Sequence, residues 1–82
     1  MNNDQLLAYY IKIKFSTPPN EPTEQQLFLI KRDINVILSN GKQPTFEDWY
    51  RIVKKYCNAG SCFYGGADNS DLSTLLQLAS NK

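Results

Sequence analysis

The sequence has no histidine in its 82 residues, and that absence removes at once the commonest general base, a proton shuttle and a neutral metal ligand. Ser-His-Asp and Cys-His constellations are excluded with it. Cysteine is nearly absent too: Cys57 and Cys62 are the only two. They are too few to complete a four-ligand zinc site within one chain or to build the disulfide framework of a small secreted domain. No apolar run approaches the roughly 18 residues of a membrane span. The opening segment Met1-Asn-Asn-Asp-Gln-Leu-Leu7 lacks the basic stretch and apolar run of a secretory signal. A large excess of one charge is also missing, since nine basic side chains face eight acidic ones for a net +1. Such a chain exerts no long-range pull on nucleic acid or on an anionic membrane. A cytoplasmic location is the default expectation, and thiols there stay reduced.

What is present reads as an ordinary folded domain, with 41% hydrophobic and 21% charged residues. A single helical domain over 1–82 is expected, with a small core, because a domain of this length buries only about 60% of its unfolded surface. Between Asp4 and Phe15 two patterns compete. Leu6, Leu7, Tyr10, Ile11 and Lys14 recur at helical steps, whereas Ile11, Ile13 and Phe15 alternate with lysines as a strand would. Helix over 4–15 is the preferred reading, because Asn3 or Asp4 can cap it and no second strand offers a partner. The alternative is an α+β fold with 9–15 as a strand.

The next two elements carry clear start and stop signals. Thr23 and Gln26 have the capping-box spacing, Asn40-Gly41 supplies a left-handed stop, and between them Leu27, Ile30, Ile34, Ile37 and Leu38 form one apolar stripe over 24–39. Thr45 caps a second helix over 46–57. Glu47 and Asp48 lie at its positive end and Arg51, Lys54 and Lys55 towards its negative end. Its inward side is aromatic, with Trp49 at the expected middle of the core. The segment around Phe63, Tyr64 and Gly65-Gly66 reads as a loop, and a short helix over 71–79 follows. The expected fold is therefore mainly α, a compact bundle of about four short helices.

The central helix has a second apolar face. At 100° per residue, Leu29 and Val36 sit together nearly opposite the main stripe, flanked by Arg32 and Asp33. Two explanations stand: the helix is central and covered on both sides, or this face receives a partner, the seven-residue spacing suiting a helix laid alongside. On the second, the chain is a non-catalytic interaction or regulatory module holding another protein, or its own copy as a homodimer, through Leu29, Val36, Phe28, Tyr50 and Tyr64. Two other functions compete. A nucleic-acid-binding regulator would use Lys31, Arg32, Arg51, Lys54 and Lys55 as a basic patch, although Glu47 and Asp48 occupy the helix start that a recognition helix turns to phosphates. A thiol switch, or a dimer linked through a shared metal, would use Cys57 and Cys62.

An enzyme is not expected, since no acid and base stand at a recognisable spacing and a domain of this size has little room for a deep pocket. No cofactor, small-molecule substrate or resident metal site is implied. Asp68-Asn-Ser-Asp71 lacks the alternate-position oxygens of a calcium loop and is better explained by helix capping.

Overall fold

Residues 9–15, where the two patterns compete, are helical. The computed structural model describes residues 3–60 and 69–80. Its elements are α1 (Asn3–Phe15), α2 (Glu24–Ser39), α3 (Phe46–Tyr56) and α4 (Asn69–Ser80), and no strand forms among the described residues. Leu7, Ile11 and Phe15 decide the matter at α1. Four residues apart, they stack on one side of a helix and are all fully buried, while Ile13, the middle of the alternating pattern, is left exposed.

Both marked helix starts close as reciprocal boxes. The Gln26 backbone N–H donates to Thr23 Oγ1 at 3.2 Å and the Thr23 N–H to Gln26 Oε1 at 2.7 Å. At α3 the partner is Asp48, whose carboxylate accepts the Thr45 N–H at 2.9 Å while its own N–H donates to Thr45 Oγ1 at 3.1 Å. The backbone N–H of Thr45 first, and then its hydroxyl and Arg51, hold the Asp48 carboxyl below its ordinary range. α2 stops in a Schellman motif: Lys42 N–H reaches Ile37 O at 3.3 Å, Gly41 N–H reaches Leu38 O at 3.0 Å, and Gly41 takes φ 77°. Cys57 caps α3, so that helix ends one residue before the expected boundary, while α4 extends beyond 71–79 at both ends.

The core gathers one stripe from each helix. Leu27, Ile30 and Ile34 of α2 meet Trp49, Ile52 and Val53 of α3, and Leu75 and Ala79 of α4 join them with the α1 stripe. Trp49 is fully buried at the centre, as its position in the sequence implies. α1 packs on α4 and α3, and α2 packs on α3 and α4. Polar links lock these pairs. Tyr10 donates its hydroxyl to Asp71, which also pairs with Lys14 at 3.4 Å, tying α1 to the start of α4. Gly60 N–H satisfies the Phe15 carbonyl at 2.9 Å, joining the end of α1 to the segment after α3.

Candidate functional site

Helix α2 turns Leu27, Ile30 and Ile34 inward, and the position of its other residues follows from the 3.6-residue turn. Gln25, Phe28, Arg32, Val36 and Ser39 form its exposed outer side, with Leu29 half-buried at the margin. Phe28 is 67% exposed and Val36 54%. Of the pair Leu29 and Val36, Val36 is exposed and Leu29 half-covered, so among the described residues this side of α2 is only partly covered, and Phe28 adds a second exposed apolar group to it. Phe28, Arg32 and Val36 stand one turn apart, forming a ridge of apolar, cationic and apolar groups.

A groove runs along each flank of this ridge. Between α2 and α1, which are not closely packed on each other, lies an open groove of about 730 Å³ that includes Asp4, Ala8, Leu27 and Phe28. Lys31 spans it, its ammonium 2.6 Å from the Asp4 carboxylate. Between α2 and α3 lies a smaller one of about 340 Å³, with Val36, Ile37 and Ile52 as its apolar lining and Asp33, Arg51 and Lys55 at its edge.

The five basic residues do not form one unopposed patch. Lys31 pairs with Asp4 across the larger groove. Arg32 and Lys55 approach Asp33 at 3.4 and 3.6 Å, and Arg51 lies 2.9 Å from Asp48. Lys54 stands over the Tyr50 ring at 5.5 Å, away from the others. Each cation thus has a carboxylate or an aromatic face beside it.

Asp33, which the helical wheel places only on the flank of the apolar pair, makes a link to α3 that sequence reasoning missed. Besides its two cations it accepts the Tyr56 hydroxyl at 2.8 Å, and Arg32 donates to that same hydroxyl at 3.3 Å. These contacts join α2 to α3 at the edge of the smaller groove. Such a link between residues 23 apart leaves no local pattern, so no signal short of the fold itself points to it.

Of the other residues singled out, Tyr50 is half-buried and stacks on Phe15 with ring centres 6.4 Å apart, which makes it part of the core's edge rather than a free anchor. Tyr64 and Cys62 lie outside the described residues. Cys57 is buried, and burial first, with the nearby Glu21 carboxylate second, pushes its thiol up to about 11. It is protonated at neutral pH, the opposite of an activated thiolate. Among the described residues no cluster of acidic or thiol groups is arranged to hold a metal ion, and no helix is long and apolar enough to cross a membrane. A second exposed apolar group, Leu6, Tyr9 and Ile13, occupies the outer side of α1. Its residues are the reason the segment reads two ways in sequence: α1 is apolar on both sides, so neither period stands out. The comparisons with known proteins offer no relative to set beside this geometry: no family model, curated protein or solved structure matches the chain.

Proposed function

We propose that this chain is a non-catalytic interaction module that holds another protein against the outer side of α2. The observation that carries the reading is the exposure of Phe28 and Val36 on either side of Arg32, each beside a groove. Large apolar groups grouped on one exposed helix face add little to this fold, and exposed apolar patches commonly mark contact sites. The α2 ridge is favoured over the outer side of α1 because it combines exposed apolar groups with flanking grooves and directional charge, which is what a specific partner reads. A reducing, cytoplasmic setting agrees with a protonated Cys57 in a structural role.

The test compares the native chain with a Phe28→Glu/Val36→Glu variant whose fold is checked by circular dichroism. Both are crosslinked and co-purified from the cells the protein comes from, and both are followed by light scattering over a range of concentrations. A bound species, foreign or a second copy, that the native chain retains and the variant loses is the expected result. Identical retention by both, with both monomeric throughout, removes the proposal.

A further inference from the structure

The cations and carboxylates along the ridge of α2 and its flank towards α3 differ in how far they reach into solvent. At the smaller groove the Arg51 and Lys55 side chains are 68% and 62% exposed, and Arg32, on the ridge at the border of the larger groove, is 56% exposed, whereas the Asp33 and Asp48 side chains that pair with them are 20% and 23% exposed. The carboxylates are the less exposed member of each pair. A molecule approaching this face meets guanidinium and ammonium groups around an apolar lining of Val36, Ile37 and Ile52. Glu47 is exposed at the start of α3 but does not line the groove.

From this arrangement, and resting on the α2 reading above, we infer that the outer ridge of α2, together with its flank towards α3, receives an acidic amphipathic helix from another protein. Phe28 and Val36 are eight residues apart, about 12 Å along the helix axis. A partner helix laid along the ridge therefore presents apolar anchors about two turns apart, with a carboxylate between them for Arg32 and further carboxylates on the flank towards Arg51 and Lys55. Arg32 also argues against the chain's own copy as the occupant. Two α2 ridges facing each other about a two-fold axis midway between Phe28 and Val36 set Arg32 against Arg32, a like-charge contact that specific interfaces avoid. Nucleic acid is disfavoured by the apolar lining of Val36, Ile37 and Ile52, which a phosphate backbone leaves unused.

The test is a display library of amphipathic helices about 20 residues long, with apolar positions held at helical spacing and the remaining positions varied among Glu, Lys and Gln. Selection on the native chain is expected to enrich Glu beside the anchors. The selected peptides should bind about tenfold more weakly to an Arg51→Glu/Lys55→Glu variant, and should lose affinity as salt rises. Val36→Glu should abolish binding.

Enrichment of Lys, no charge bias, or no binder at all overturns the inference. So does binding that survives all three substitutions. A mixed-sequence DNA duplex that binds at low salt and displaces the peptides assigns the face to nucleic acid instead. If the library yields no acidic binder while the co-purified partner still depends on Phe28 and Val36, the acidic-helix inference falls and the interaction reading stands. Loss of both results removes both.

Discussion

The inner and outer sides of α2 share sixteen residues of one helix and are subject to different requirements. Inward, Leu27, Ile30 and Ile34 are buried in the common core. Outward, Phe28 and Val36 are comparably apolar and remain largely in water. The hydrophobic effect accounts for the first set and much less for the second, because an apolar side chain left largely in solvent gains little from it. The contrast separates the residues that hold the bundle together from those the bundle displays. It can be probed by walking around the helix from the inside to the outside.

The largest effect is expected inside. Ile34 is fully buried where α2 meets the core, and Ile34→Ala removes its transfer energy and leaves a cavity that rigid neighbours cannot fill. A loss of about 2–5 kcal/mol is expected in denaturant unfolding, a large share of the stability of so small a domain. A loss below 1 kcal/mol would mean that the inner side is no better packed than the outer, and the comparison would break at its firm end.

An intermediate effect is expected at the flank. Asp33 accepts the Tyr56 hydroxyl and two cations, but it is partly solvated, so its ion pairs are screened and the hydroxyl bond carries most of its contribution. Asp33→Ala should lower stability by roughly 0.5–1.5 kcal/mol, and Tyr56→Phe should reproduce most of that loss without additivity, since the two share one bond. Thermal unfolding of the two single variants and the double variant checks it. Losses that simply add would show that the link between α2 and α3 is carried by other groups.

How much of this was legible in the sequence follows from the range of the interactions. The capped starts at Thr23 and Thr45, the stop at Asn40-Gly41 and the inward stripe of α2 all rest on residues within four or five positions of one another, and each appears in the structure as the spacing implies. The reciprocal role of Asp48 was half legible: its place at the helix start suggested favourable charge, and its capping bond to the Thr45 N–H adds to that. α1 was ambiguous for a physical reason, since Leu6, Tyr9 and Ile13 on its outer side blur the period set by Leu7, Ile11 and Phe15. The apolar pair Leu29 and Val36 was visible on a helical wheel, but the wheel cannot say whether a neighbour covers it. Nor can it locate a groove, which arises from where α3 lies across α2. Trp49 fills the middle of the core as its place on the aromatic inward side of α3 implied, and Phe15 is buried in the same core cluster. Tyr9 and Phe28 are not, because the helices that carry them place those positions on the side away from the core.

The smallest stability effect, and the one that sharpens the comparison most, belongs to the outer side. Val36→Glu exchanges a half-exposed β-branched residue for a better helix former, a gain of a few tenths of a kcal/mol at most. The new carboxylate also stands at the edge of a groove that already holds Arg51 and Lys55, so it meets favourable charge rather than repulsion. Against these gains stands the loss of the apolar contact that Val36 makes with the groove. The terms nearly cancel, and stability should stay within about 0.5 kcal/mol of the native chain. Phe28→Glu is expected to behave alike, because its ring is more exposed still. Equilibrium unfolding of the single variants decides the matter: a loss above about 2 kcal/mol at either position would place that residue in the core energetically, whatever its exposure. A null effect on stability, combined with loss of binding, would separate folding from function at two residues of one helix.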